Sequence, residues 1–99
     1  MQSFDEVPRF DAADYLGTPE ARADYMAIAL EEGDAVEIRR ALNTVARSLC
    51  MSAVAEEAGL GRESLYKALG ESGNPEFATV LKLMKAMGLK LSALPIDEA

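Results

Sequence analysis

The sequence lacks most of the residue types from which catalytic and metal sites are built. Its 99 residues include no histidine and a single cysteine, Cys50. The usual Cys/His zinc site and the Ser-His-Asp and Cys-His catalytic arrangements are therefore excluded. No carboxylate pair, metal cluster or glycine-rich phosphate loop stands out, so we expect a protein that is not an enzyme and binds no cofactor or metal.

Long apolar runs are missing as well. No stretch approaches the roughly 20 apolar residues that span a membrane. The acidic, proline-containing N-terminus does not resemble a signal peptide, and a lone cysteine fits the reducing cytosol. We therefore expect a cytoplasmic protein that makes no membrane contact.

Helix-forming residues dominate what is present. Apolar residues make up 49% of the chain and aromatic residues only 6%, which favours an α-rich fold. The length suits one compact domain. We predict an all-α protein with a flexible arm over residues 1–10, a single helical domain over residues 11–95 and a short tail over residues 96–99.

Start and stop signals locate the first helices of this domain. Residues 11–16 can form one or two helical turns. Thr18 as N-cap and Pro19 as first residue predict a helix that runs to about Glu32, where Gly33 ends it. The side chains that we expect this helix to bury are Ala21, Tyr25, Ile28 and Ala29.

Asp34 can cap a second helix that continues to about Cys50. This helix has the clearest amphipathic pattern of the chain. The apolar stripe consists of Ile38, Ala41, Leu42, Val45, Ala46 and Leu49. The polar face opposite it carries Arg39, Arg40, Asn43, Arg47 and Ser48. Its three arginines either contact phosphates or form solvated surface.

The last helix is expected to begin at Pro75 and to have Gly88 as its C-cap. The side chains expected along its buried side are Phe77, Val80, Leu81, Met84 and Met87, with Lys82 and Lys85 opposite. Residues 89–93 alternate apolar and polar side chains. They form either an edge strand that pairs across a dimer or a segment that packs its leucines on the core.

Between these helices lie two that are too short to be stable alone. We predict that Ser52 caps a helix over residues 53–58 and that a second helix covers residues 62–69. Such a pair, wedged against a larger core, is typical of a helix-turn-helix, which we place at residues 51–70. The residues that meet the steric needs of the crossing, the turn and the core contact are Ala55, Gly59, Leu60, Leu65 and Leu69.

If Leu65 and Leu69 face the core, the second short helix presents a polar surface. A recognition helix enters the DNA major groove by its N-terminal end. Arg62 is suited to guanine and Glu63 to cytosine, and Lys67 to a base or a phosphate. The complete predicted set of DNA-contacting residues is Ser52, Arg62, Glu63, Ser64, Tyr66, Lys67 and Asn74.

Charge is distributed unevenly along the chain. The net charge of −7 argues against a nucleic-acid partner, but residues 1–37 hold ten acids and two bases, whereas residues 38–99 hold seven acids and eight bases. The acidic third is either a surface for a basic partner or a solvated surface that maintains solubility. The candidate anchors beside these acids are Tyr15, Tyr25 and Met26, although Tyr25 also suits the core.

From about Phe10 to Pro95 the chain resembles the antidote proteins (antitoxins) of bacterial type II addiction modules, in the HigA/Xre-like branch with a lambda-repressor-like helix-turn-helix. The stretches that carry the resemblance are residues 10–16, 29–34, 51–60, Arg62-Glu63-Ser64-Leu65-Tyr66-Lys67-Ala68-Leu69, Gly73-Asn74-Pro75 and residues 86–91. The resemblance implies a five-helix lambda-repressor-like domain with an N-terminal helical extension.

The resemblance also implies three partners. The protein would neutralise a small RelE/ParE-like toxin encoded beside it, bind the double-stranded operator DNA of its own operon, and do so as a homodimer. Two other interpretations stay open: a stand-alone Xre-type or phage-type regulator without a toxin, and a helical protein-interaction bundle that never meets DNA.

Overall fold

The computed structural model describes residues 11–96, and over this range the protein is all-helical, with no strand. A 3-10 helix covers Ala12–Tyr15. Five α-helices follow: α1 (Pro19–Glu32), α2 (Ala35–Leu49), α3 (Met51–Ala58), α4 (Arg62–Leu69) and α5 (Phe77–Ala86). The all-α prediction is confirmed over this range. The predicted arm, residues 1–10, and residues 97–99 of the tail lie outside the described residues.

The ends of α1 and the start of α2 follow directly from the sequence. The Thr18 hydroxyl accepts a hydrogen bond from the Ala21 N–H at 3.1 Å, and Pro19 is the first helical residue. Gly33 ends α1 in the left-handed conformation with φ +76°, which glycine adopts without steric cost. The Asp34 carboxylate then accepts from the Val36 N–H at 2.9 Å.

Helix α2 is the centre of the fold. It packs against the 3-10 helix, α1, α3 and α4. Its predicted apolar stripe is confirmed: Ala41, Leu42, Val45 and Ala46 are buried, and Ile38 and Leu49 pack against the core. One residue of the predicted polar face is placed differently, because Arg39 is only 8% exposed.

The predicted buried side of α1 is partly wrong. Ile28 is 62% exposed, whereas Met26 is 2% exposed and belongs to the core. Ala21, Tyr25 and Ala29 are partly buried against it. The reason is that apolar residues occur almost continuously over residues 25–30, so the sequence pattern does not decide which side of the helix faces α2.

The prediction for α5 is wrong in two respects. The helix begins at Phe77 rather than Pro75, with Glu76 as its N-cap. Phe77 is 70% exposed and Leu81 43% exposed, while Leu83, Met84 and Met87 are buried. Apolar residues again occur on more than one side of the helix, and packing against α3 selects the side that includes Leu83.

The chain leaves α5 through Gly88, which has φ +77°. Met87 is the formal cap residue, and Gly88 is the left-handed residue that follows it. The Leu89 N–H donates to the Met84 carbonyl at 2.8 Å, and Leu89 packs against the core. Residues 89–96 form neither helix nor strand within the described chain. None of the helices in residues 11–96 has the length and hydropathy needed to span a membrane.

Candidate nucleic-acid interface

Helices α3 and α4 form two short rods joined by a three-residue turn, residues 59–61. Gly59 adopts φ +73°, and the N–H of Leu60 donates to the carbonyl of Ala55 at 2.8 Å. Helix α3 packs against α2, α4 and α5, and α4 packs against α2 and α3. The pair is therefore supported by the larger helices, as two helices of eight residues each require.

The side chains that the sequence assigned to the interior of this unit lie inside. Ala55 is 2% exposed, Leu65 is fully buried and Leu69 is 3% exposed. Leu60 is partly buried against the same core. With one side of α4 fixed in this way, its other sides face solvent.

The start of α3 differs from the prediction. The helix begins at Met51, and its N-cap is Cys50 rather than Ser52, which is the second helical residue. Cys50 joins α2 directly to α3 with φ +89°, an uncommon conformation for a residue other than glycine. No linker separates α2 from α3, so the N-cap of α3 lies two residues earlier than the serine that was expected to cap it.

This position changes the chemistry of the Cys50 thiol. The N–H groups of Ala53 and Ser52 and the Ser52 hydroxyl face the sulfur, and together with the nearby charge of Arg62 they lower the pKa of Cys50 below its ordinary value. Cys50 is exposed.

Helix α4 exposes all five side chains predicted to contact DNA from it: Arg62, Glu63, Ser64, Tyr66 and Lys67. The guanidinium of Arg62 lies 5.6 Å from the centre of the Tyr66 ring, within cation–π range. This contact orients the arginine along the outer face of the helix. Ser52 is exposed at the start of α3, and Asn74 is exposed in the loop after α4.

The loop after α4 is held tightly under the end of that helix. The Gly73 N–H donates to the Gly70 carbonyl at 2.9 Å. A Cβ at Gly73 would overlap the carbonyl oxygen of Ala68 and lie 2.5 Å from that of Lys67. Only glycine fits this approach. The loop thereby fixes the position of Asn74 relative to α4.

The arginines of α2 contact acids of the same chain. Arg47 donates to the Asp11 carboxylate at 2.8 Å, and this contact lowers the pKa of Asp11 and raises that of Arg47. Arg40 pairs with Glu37 at 3.0 Å. Among residues 11–96, the candidate interface therefore relies on Arg62 and Lys67 for its cations, with Glu56, Glu57 and Glu63 exposed on the same two helices.

The acidic N-terminal third contains a different feature. A shallow groove of about 210 Å³ lies between α1 and α2, and its lining residues are Tyr25, Ile28, Ala29, Glu32, Glu37, Arg40 and Ala41. Of the three predicted anchors, Tyr15 is 68% exposed and Tyr25 lines this groove, but Met26 lies in the core. Met26 is therefore not a surface anchor. Ile28, which the sequence pattern assigned to the core, is the exposed apolar residue here.

The described residues form no candidate metal site. Over residues 11–96 no group of three or more cysteine, aspartate or glutamate side chains is arranged to hold a metal ion. The exposed polar face of α4 and the groove between α1 and α2 are both suited to binding partners.

Comparison with known proteins gives the family. Residues 6–95 match a family model described as a probable addiction module antidote protein. An uncharacterized protein of Haemophilus influenzae is 43% identical over 86 residues, which cover 87% of this chain and 89% of that protein. No solved structure matches. The match spans both the acidic groove and the exposed face of α4, and the chain belongs to the family of probable addiction module antidote proteins.

Proposed function

We propose that this antidote uses two separate surfaces. The outer face of α4 reads operator DNA and represses the antidote's own operon, and the groove between α1 and α2 binds a small basic toxin of the RelE/ParE type. The observation that carries the DNA part is the division of α4, in which Leu65 and Leu69 are buried while five polar or amphipathic side chains are exposed. Such a division is what a lambda-repressor-like recognition helix requires.

The roles on DNA follow from side-chain chemistry. Arg62, at the N-terminal end of α4, donates two hydrogen bonds to guanine O6 and N7, and Glu63 accepts one from cytosine N4. Lys67, Ser64 and Tyr66 contact a base or the backbone further along the groove. Ser52 and the free N–H groups at the start of α3, and Asn74 in the loop, hold phosphates.

One double substitution tests DNA reading. Arg62→Ala with Lys67→Ala removes two exposed cations from the outer face of α4. We expect affinity for the operon's upstream DNA to fall at least about 100-fold, since each specific base contact contributes about 1–3 kcal/mol. The slope of the logarithm of the binding constant against the logarithm of salt concentration should also become shallower. The change should be about one unit for each phosphate that the variant no longer neutralises. Fluorescence anisotropy at several salt concentrations measures both quantities.

The matched control is Lys82→Ala with Lys85→Ala, which removes the same charge from exposed positions on α5. We expect this variant to retain most of the wild-type affinity. An equal drop in affinity in both double variants would show that binding depends only on total charge. Unchanged affinity in the first would remove α4 from the interface. No DNA binding by the wild-type protein would leave the helical protein-interaction bundle as the better interpretation.

A toxin partner follows from the family, and its surface is argued from charge. A toxin that acts on RNA or on RNA-containing machinery is expected to be basic. The groove between α1 and α2 places Tyr25 and the exposed Ile28 beside Glu32, which combines apolar anchors with complementary charge. Glu37 also lines the groove but is already paired with Arg40.

Co-purification with the product of the adjacent gene tests the toxin surface. We expect Ile28→Ser to weaken the complex about 10-fold or more, because removal of a central apolar anchor costs above about 1 kcal/mol. Tyr66→Ser is the matched control, because it removes an exposed apolar ring from the DNA face instead. If the adjacent gene encodes no small basic protein, the stand-alone regulator becomes the better interpretation.

The proposed DNA reading also requires two copies of the protein. One helix-turn-helix contacts only a few base pairs, and specific sites are paired half-sites about one helical turn apart. We therefore propose a homodimer that holds two α4 helices at that spacing.

A further inference from the structure

A second groove, on a different side of α2, has no role in the functions proposed above. It has a volume of about 340 Å³ and lies between the start of α2, the loop before α5, α5 itself and the C-terminal segment. Its main apolar lining residues are Val36, Ile38, Pro75, Phe77, Val80 and Leu91. Phe77 is 70% exposed and Val36 43% exposed, so large apolar surfaces at this groove are left uncovered.

One cation is buried in the wall of this groove. The side chain of Arg39 is 9% exposed and lines the groove, yet its contacts are weak. One guanidinium nitrogen donates to the Gly73 carbonyl at 3.4 Å, and another lies 3.9 Å from Glu71. Its Nε has no hydrogen-bond partner in the described part of the chain.

Glu71 does not neutralise Arg39 well. It is 86% exposed and also lies 3.7 Å from Arg40. A buried guanidinium with an unpartnered donor is costly unless a carboxylate reaches it. The groove therefore suits a segment that combines apolar side chains with an acid. A basic toxin has the wrong charge for it.

The C-terminal segment of this chain has that composition. Leu91 lines the groove, but the chain then leaves it, and Leu94 and Ile96 are 86% and 85% exposed. Asp97 and Glu98 follow in the sequence. Thus two exposed apolar side chains lie beyond the edge of an uncovered apolar groove that contains a poorly paired arginine, and two acids follow them in the sequence.

We propose that residues 94–98 of a second copy occupy this groove, with Leu94 and Ile96 on the apolar lining and Asp97 or Glu98 paired with Arg39. Each copy carries both the groove and the segment. Two copies related by a two-fold axis would each place their segment in the groove of the other, which closes the assembly as a dimer. The inference supplies the contact for the homodimer in the proposed function, and its tests use no DNA.

Cysteine cross-linking tests the exchange directly. One protein carries Val36→Cys in the groove, and the other carries Leu94→Cys in the segment. Both also carry Cys50→Ser, and one of them carries an affinity tag. All three positions are exposed, so folding should be unaffected. After mixing and mild oxidation, we expect at least about tenfold more disulfide between tagged and untagged chains than in a control mixture.

The control mixture replaces Val36→Cys by Glu20→Cys, in the first turn of α1. Because α1 and α2 are joined by a short turn at Gly33 and Asp34, the start of α1 lies toward the other end of α2. The double variant Val36→Cys/Leu94→Cys, oxidised at high dilution, should form little disulfide within one chain. Disulfide that persists on dilution would show that each segment occupies its own groove and would overturn the proposal, as would equal cross-linking in the control.

Sedimentation equilibrium tests the energetics with the full-length protein. We expect Leu94→Ser with Ile96→Ser to raise the dimer dissociation constant at least tenfold, while Ile28→Ser, another exposed apolar position, leaves it unchanged. Asp97→Asn with Glu98→Gln should raise it less, and mainly at low salt. A wild-type protein that is monomeric at micromolar concentration would overturn the proposal.

Arg39→Met gives the sharpest result. In the monomer Arg39 is a poorly paired buried cation, so its replacement by an apolar side chain should keep or raise the melting temperature measured at high dilution. The same substitution should weaken the dimer. In the Arg39→Met background, the Asp97→Asn/Glu98→Gln change should have no further effect on the dissociation constant. Full additivity of the two changes would contradict the pairing. A dimer that passes these tests but does not bind DNA would refute only the proposed DNA reading.

Discussion

At the scale of single residues, burial is what distinguishes function from packing in this protein. Arg39 and Arg62 are the same residue type on helical surfaces, yet Arg39 is 8% exposed and Arg62 lies on the outer face of α4. The sequence could not separate them, because the position of Arg39 depends on the approach of the Gly73 loop, 34 residues away in the chain. Met26 and Ile28 exchanged their predicted places for a similar reason, since only the contact of α1 with α2 selects the buried side.

A residue-scale prediction concerns Cys50. Because backbone N–H groups at the start of α3 favour its thiolate and lower its pKa, we expect alkylation by iodoacetamide to reach its half-maximal rate at a lower pH in the folded protein than in protein unfolded by urea. A lowered folded-state pKa also means that the thiolate stabilises the fold fully above the unfolded pKa, and that this contribution disappears as the pH falls through the folded value.

Cys50 is the single thiol of the chain, so the unfolded protein is an internal control for the same sulfur. Coincident pH profiles in the folded and unfolded protein would show that the start of α3 does not act on the thiol.

At the scale of elements, helix ends were more predictable than helix faces. Thr18, Gly33 and Asp34 set the boundaries of α1 and α2 through local hydrogen bonds and a left-handed glycine, and these signals are contained in a few neighbouring residues. The start of α3 was missed because Cys50 makes the turn that a serine was expected to make. The face of α5 was missed because its apolar residues fit two helical stripes.

The connection from α4 to α5 gives an element-scale prediction. Gly73→Ala would place a Cβ against the carbonyl oxygens of Ala68 and Lys67. We expect it to lower the free energy of unfolding by about 1–3 kcal/mol, as overpacking commonly does. Urea denaturation monitored by circular dichroism measures this change.

Gly17→Ala is the matched control for that measurement, because no atom lies within 4 Å of a Cβ at Gly17. Its stability should be unchanged or raised by about 0.5 kcal/mol, through the unfolded state. Equal stability of the two variants would contradict the close approach at Gly73.

At the scale of the whole molecule, the acidic groove and the exposed face of α4 lie on different elements that share α2 as their support. The uneven charge of the chain indicated this separation, and the family match confirms the antidote assignment. The two grooves could not be derived from the sequence. The groove beside α5 joins residues 30 to 91 of the chain, and the groove between α1 and α2 depends on which side of α1 faces α2.

We propose that α4 reads DNA independently of the toxin surface. The most direct test measures the affinity of the Arg62→Ala/Lys67→Ala variant for the operator, with its affinity for the adjacent gene product determined in the same preparation. We predict that operator affinity falls at least about 100-fold while toxin affinity stays at the wild-type value. Wild-type affinity for the operator, with an intact fold, would contradict the claim.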